Sequence, residues 1–166
     1  MRKKSVFLAV VALLATMYPV KADGIHEGPE PGTHLLGIRV GTGWGHLHVN
    51  AAYDYALARV GKGTFTIGGY LSESSNMDDR NELAIPIMAR TTYRFSVVVP
   101  EWEVYGGVML GGFMYFDPRK SGMGGFVCGS AFLGTSYYFN KNFGVNLEVG
   151  GGFFAPFWNI GGKFRF

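Results

Sequence analysis

The chain is poor in the residues on which several protein classes depend. It has one cysteine, Cys128, in 166 residues, so no disulfide framework can form within it. Charged residues make up only 16%, but 48% of the chain is hydrophobic and 16% aromatic, and disordered chains have neither in such amounts. The 26 glycines follow no three-residue period, which excludes a collagen helix. Beyond the first residues no apolar run approaches the roughly 20 needed to cross a bilayer as a helix. What is present is an unusual pairing, abundant glycine with abundant aromatics, in a chain long enough for one domain with a real core.

Residues 1–22 read as a cleaved secretory signal. Arg2, Lys3 and Lys4 form a positive start, residues 6–15 are continuously apolar, and Val20-Lys21-Ala22 precedes a plausible cut. Cleavage after Ala22 removes four basic residues and no acid, so the formal net charge passes from +3 to −1. Basicity therefore belongs to the export signal, and a nucleic-acid partner is not expected. Residues 23–33, with Pro29 and Pro31, read as a flexible periplasmic leader before a barrel over 34–166.

From residue 34 the dominant period is two, the pattern of strands with unlike faces. Leu36, Ile38 and Val40 alternate with Gly37, Arg39 and Gly41; Val49, Ala51, Tyr53 and Tyr55 alternate with His48, Asn50, Ala52 and Asp54. Ile67 and Leu71 oppose Gly68 and Tyr70, and Ile87, Ala89 and Tyr93 oppose Met88, Arg90 and Arg94. The second half continues with Val108 and Leu110 against Tyr105 and Met109, and Leu133 and Tyr137 against Cys128, Ser130 and Tyr138. Val145, Leu147 and Val149 then oppose Asn146 and Glu148, and Ile160 and Phe164 oppose Lys163 and Arg165. Eight segments result, each near the 9–11 residues that cross a bilayer when tilted.

Charge decides what the two faces meet. Arg39, Asp54, Arg90, Arg94, Glu148, Lys163 and Arg165 all share the face of small and polar residues. A soluble barrel puts its apolar face inside and its charges in water. Here the apolar face must meet lipid and the charges must be enclosed, which predicts an all-β fold: an eight-stranded antiparallel up-and-down transmembrane barrel with periplasmic termini. Unpaired buried charge is costly, so Asp54 and Glu148 are expected to pair with inward arginines, with Tyr70, Tyr105 and Tyr138 completing the network. Arg94 and Arg165 are expected at the periplasmic rim within reach of water. Inward glycines make room for Arg and Tyr in the narrow interior, and Tyr53, Tyr55, Tyr93, Phe95, Tyr137, Phe139, Phe164 and Phe166 form an interfacial girdle.

Periplasmic turns are expected at 58–63, 96–102 and 140–142, and outer loops at 42–46, 72–83, 117–124 and 155–157. Pro86 and Pro100 suit strand ends or a turn.

The last residues carry a resemblance. Ile160, Phe164 and Phe166 at alternating positions resemble the C-terminal signal that outer-membrane barrels present to the barrel assembly machinery. With Tyr137-Tyr138-Phe139 before the Asn140-Lys141-Asn142 turn and Glu148 beyond it, residues 34–166 resemble the outer-membrane β-barrel superfamily of the OmpA and OmpX type. The resemblance implies Sec export to the outer membrane of a Gram-negative bacterium and contact with its lipids and lipopolysaccharide. It further implies a monomer that meets the assembly machinery during biogenesis. The superfamily holds anchors and adhesins, and the outer loops here are short for an adhesin.

Other chemistries draw weaker support from the residues. His48, Ser130 and Glu148 are the nearest match to the catalytic set of lipid A deacylase-like barrels, and His46 with Ser72 or Asp78 to the acyltransferase kind, but no His-x-Ser motif occurs. His46 and His48 share a strand face without a nearby third ligand, and Glu73, Asp78, Asp79 and Glu82 with Arg80 make a hydrated acidic loop. Gly150-Gly151-Gly152 opens no helix and is not a nucleotide loop. No catalytic residue, cofactor or metal is expected. The leading expectation is a non-enzymatic barrel with an envelope-structural or surface-contact role; an adhesin or narrow ion pore, porin-like, comes second, and a lipid A-modifying enzyme third.

Overall fold

The computed structural model describes residues 25–76, 83–116, 123–153 and 155–166. Among them there are nine strands and no helix: β1 (Ile25–His26), β2 (His34–Gly43), β3 (His46–Val60), β4 (Gly63–Asn76), β5 (Leu83–Val97), β6 (Trp102–Phe116), β7 (Met123–Tyr138), β8 (Phe143–Phe153) and β9 (Trp158–Arg165). From β2 onward each strand pairs antiparallel with the next, and β2 pairs with β9 through partners such as Val40↔Ile160 and Leu36↔Phe164. Eight strands thus close into a barrel, which leaves none of them with an unpaired edge. The basal end is where β2 starts and β9 finishes; the apical end is opposite.

Closure turns the period-two pattern into an inside and an outside. Along β5 buried and exposed positions alternate, with Met88, Arg90, Thr92 and Arg94 buried and Ile87 and Tyr93 exposed. On the outer wall Leu110, Val127 and Leu133 are each more than 60% exposed. A soluble monomer rarely carries a contiguous apolar surface of this extent.

Several strands are longer than the sequence reading expects. β3, β5 and β6 have 15 residues each and β7 has 16, so the ladders extend past the assumed span at the apical end. Residues 72–76 and 83, expected in a loop, are ladder residues, because Leu47↔Ser75 and Ser75↔Leu83 remain in register. The first apical turn contracts to Trp44-Gly45, both with positive φ (54° and 75°), the backbone that two-residue hairpins need to match strand twist. Pro86 lies inside β5, not at its end. It pairs with Phe113 of β6, while the ladder to β4 lapses between Leu71↔Ile87 and Ser74↔Ala84, where proline has no N–H to donate.

The segment before β2 is not a free leader in its described part. Ile25 and His26 pair with Val97 and Ser96. The Gly28 amide donates to the Lys62 carbonyl, the Thr64 hydroxyl donates to the Pro29 carbonyl at 2.6 Å, and the Gly32 amide donates to the Ala56 carbonyl. Gly28 and Pro29 are buried, and Arg59 at the end of β3 pairs with Glu27. A Cβ on Gly28 would overlap the Arg94 carbonyl, so the chain crosses the basal mouth in contact with the inner wall. Residues 1–24, which contain the expected export signal, lie outside the described residues.

One turn is strained. Val98 has φ 66°, a region that β-branched side chains rarely enter, and it is held by the Val99 amide on the Val97 carbonyl at 2.6 Å and by His26 Nε2 against the Val98 carbonyl at 3.2 Å. Strain of this kind costs about 1–3 kcal/mol, and the added chain entropy of glycine offsets about 0.5–1 kcal/mol of any relief. Val98→Gly is therefore expected to stabilise the folded barrel by about 1 kcal/mol, read as a higher urea midpoint at unchanged slope.

Candidate functional site

The interior falls into two halves. Toward the apical end and the middle it is filled by Ala52, Tyr70, Met88, Met109, Phe113, Cys128 and Phe132, one apolar cluster in which Cys128 is an enclosed free thiol. Toward the basal end lies a network of buried charge. The flexible Met88 and Met109 side chains suit the irregular space between rings.

The network is built from three carboxylates, each shared by two cations. Glu148 Oε1 accepts from Arg90 Nη2 at 2.9 Å and pairs with Arg39 Nη1. Asp54 faces Arg90 Nε at 2.9 Å and accepts from Arg94 Nη2 at 2.6 Å. Glu103 Oε2 accepts from Arg94 Nη1 at 3.3 Å and lies 3.5 Å from Lys163 Nζ. Arg39, Arg90, Arg94, Lys163, Asp54, Glu103 and Glu148 are all nearly or fully buried.

Tyr105 is the hub of these groups. Its hydroxyl donates to Glu148 at 2.8 Å and accepts from Asn146 Nδ2, while Arg94 lies 3.9 Å from its ring centroid and Lys163 4.6 Å. Cations over an aromatic face gain electrostatically, and more so away from water. The ring can stand there because residue 134, directly opposite on β7, is glycine, and a Cβ at that position would overlap it. Other inward glycines serve the wall itself: a Cβ on Gly68 would run into the Tyr53 carbonyl of the neighbouring strand, so the tight curvature also depends on glycine.

Two expectations need correction. Arg94 is not screened by rim water: it is fully buried, because the segment around Gly28 closes the basal mouth over it. Arg165 alone of the sequence-predicted charges is half-buried, with its guanidinium 3.9 Å from the Tyr138 ring centroid. The Tyr70 hydroxyl, expected within the network, makes no hydrogen bond to any of its charged groups. Tyr138 does reach a carboxylate, Glu103, at 3.4 Å.

Glu103 is absent from the inward residues that the sequence assigns to this strand, which start at Tyr105. Period two carries the signal, since an inward Tyr105 places Glu103 inward as well.

The candidate catalytic set is not assembled. The His48 ring accepts from or donates to Ser74 at 2.6 Å through Nδ1, Ser130 donates to the Ala131 and Gly151 carbonyls, and Glu148 is held by arginines. His46 and His48 are neighbours with ring centroids 6.3 Å apart, and no group of three metal-ligating side chains occurs among the described residues. Ser72 is buried and donates to backbone carbonyls. Glu73 lies on the outer face of β4, beside Leu71, whereas Asp78, Asp79, Arg80 and Glu82 lie outside the described residues.

At the base, aromatics encircle the outer wall. The His34 ring stacks on Phe166 with centroids 5.6 Å apart, and Tyr93–Phe95, Tyr137–Phe139, Phe139–Phe143 and Phe143–Phe164 are in ring contact. Ile160, Phe164 and Phe166 are outward and exposed, and the Phe166 amide donates to the His34 carbonyl, which extends the β2–β9 seam. At the apical end Trp44, Phe153 and Phe157 form a second group of rings. Neither protein-family models nor curated proteins gave a match to this chain.

Breaking a buried ion pair from one side leaves its partner uncompensated and costs about 3–5 kcal/mol. Glu148→Gln leaves Arg39 and Arg90 short of their carboxylate and is expected to lose stability in that range. Tyr105→Phe keeps the ring under Arg94 and removes only the hydroxyl, so about 1–2 kcal/mol is expected. Denaturant unfolding of the two variants side by side checks the order, and equal losses would contradict it.

Proposed function

We propose that the chain is an integral barrel of a Gram-negative outer membrane, exported through the Sec pathway, with its termini on the periplasmic side. Its role is envelope-structural or surface contact, and it is non-enzymatic. The observation that carries this reading is the sorting of the two faces: charge enclosed, and an apolar wall bounded by aromatic rings at both ends. The wall has a suitable height. Val127 and Tyr137 of β7 are ten residues apart, about 33 Å along a strand at about 3.3 Å per residue, and a tilt of about 40° brings this to about 25 Å, the usual apolar band of such barrels.

Physical cost supports the same reading. Backbone polar groups inside a bilayer must be satisfied within the protein, and a closed ladder does so. The resemblance of residues 34–166 to the OmpA and OmpX type of barrel agrees with it. Lipids and lipopolysaccharide are then the surroundings of the outer wall, and the exposed Ile160, Phe164 and Phe166 are the residues for the assembly machinery to read. The interior supports a plug more than a pore: Tyr70, Met109 and Phe132 fill its middle, and Arg94 and Glu103 its base. The separation of His48, Ser130 and Glu148 favours a structural role over lipid hydrolysis.

The full chain expressed with its first 22 residues should stay in the outer-membrane fraction through alkaline carbonate extraction. Release into the soluble fraction would end this reading. Within phospholipid vesicles, Leu133→Arg should cost about 2–4 kcal/mol if position 133 lies near the membrane midplane. Planar bilayers holding the purified protein should show no single-channel steps, and lipid A mass spectra should be the same in a deletion strain and its parent.

A further inference from the structure

Of the carboxylates on the described barrel strands, Asp54, Glu103 and Glu148 are buried inside, and Glu73 of β4 is exposed on the outer face. Register places Glu73 in an apolar row. Val40 pairs with Val49 and Val49 with Glu73, and the register kept from Leu71↔Ile87 to Ser74↔Ala84 sets Glu73 opposite Ile85, whose partner on β6 is Met114. The cations of the described residues are inside the barrel or at its base, and none pairs with Glu73.

Its height makes that isolation costly. Glu73 follows Phe65 by eight residues on β4, and Phe65 pairs with Tyr93 of the basal aromatic ring. The separation is about 26 Å along a strand at about 3.3 Å per residue, and a tilt of about 40° makes it about 20 Å of the usual apolar band of about 25 Å. Leu47 and Leu83 flank the next outward position, Ser75, so the apolar wall continues past Glu73. A carboxylate among acyl chains is unfavourable without a partner.

A groove of about 490 Å³ opens beside it, lined by Ile38, Val49, Ala51, Leu71, Leu83 and Ile85 together with Glu73. The wall is low there because Ala51 is a short side chain between Ile38 and Leu71 on the neighbouring strands. An apolar chain suits this lining, and Glu73 sets the sign of the head that goes with it. The connector from β4 to β5 adds Asp78, Asp79 and Glu82 against Arg80, so its net charge also attracts cations and repels anions.

We propose that the groove binds a cationic amphiphile, an alkyl chain bearing a primary ammonium, with the chain over Ala51 between Ile38 and Leu71 and the ammonium on the Glu73 carboxylate. The ammonium donates charge-assisted hydrogen bonds to the carboxylate and neutralises it in apolar surroundings, where the pair is stronger than in water. A neutral head leaves the charge and an anionic head is repelled. The site rests on the reading of the outer wall as lipid-facing.

Dodecylamine carrying a diazirine in its chain is the probe, with the matching alcohol and fatty acid as controls, in membranes holding the folded full chain. Irradiation should label the peptides that contain Ala51 and Leu71 severalfold more with the amine than with the alcohol, and excess dodecylamine should compete the label away. Glu73→Gln should bring the amine down to the level of the alcohol. Ala51→Phe keeps the carboxylate but fills the groove, and should lower amine labelling at Leu71 severalfold. Both substitutions are on the outer face and leave the interior network untouched. Equal labelling by amine and alcohol in the parent, or an amine preference that survives Glu73→Gln, would overturn the proposal. So would labelling by the fatty acid that requires magnesium, the mark of a bridging divalent ion. Carbonate extraction of the same membranes separates the two failures: a retained chain without head-group preference rules out this site alone, and a released chain rules out the lipid-facing wall with it.

Discussion

Enclosed carboxylates shared between cations hold the rest of this structure in place. Asp54, Glu103 and Glu148 each serve two basic partners, and Arg90 and Arg94 each bridge two of the carboxylates. The chain of contacts runs from Arg39 on β2 through β8, β5, β3 and β6 to Lys163 on β9, so it ties six of the eight barrel strands across the interior. Away from water every missing partner is expensive, and a network of this kind tolerates few alternative arrangements. Several features elsewhere in the molecule are best understood as conditions for it.

Volume is the first condition. Eight strands enclose only enough space for side chains, so each arginine or ring inside requires an absence opposite. Gly134 stands across from Tyr105, and a Cβ on Gly161 would crowd the Arg39 side chain at 2.9 Å. Enclosure is the second. The residues around Gly28 and Pro29 close the basal mouth, and the apolar cluster of Met88, Met109, Phe113 and Phe132 lies toward the apical side. Between the two the charges are dry, which strengthens each pairing. The strained Val98 turn lies where the capping segment meets the wall, tied to it by His26.

Much of the fold was legible along the chain because one rule, period two, governs nearly all of it. Wherever Leu, Val or Ile alternates with Gly, Asn or Arg, the sides are assigned as soon as a strand is recognised. The places that escaped are those where local and tertiary signals diverge. Pro86 argues locally for a strand end, but a ladder to β6 alone suffices to keep it in β5. Residues 72–76 are serine-rich and polar and read as loop, but pairing with both neighbours extends the strand through them. Glu103 sits at a boundary where the pattern has only just begun.

The residues by themselves determined the number of barrel strands, the inward charges other than Glu103 and the apolar outer wall, because a pleated strand has only two faces and burial must be consistent along each. Partnerships were beyond their reach. That Arg94 is shared by Asp54 and Glu103, that His48 meets Ser74 and not Ser130, and that Gly28 covers the basal end depend on register, on the stagger with which β9 returns to β2, and on side chains up to 109 positions apart along the chain, as in Asn50 and Asn159, meeting inside. Closure brings those groups within a few ångströms, and no local pattern encodes a distance that closure creates.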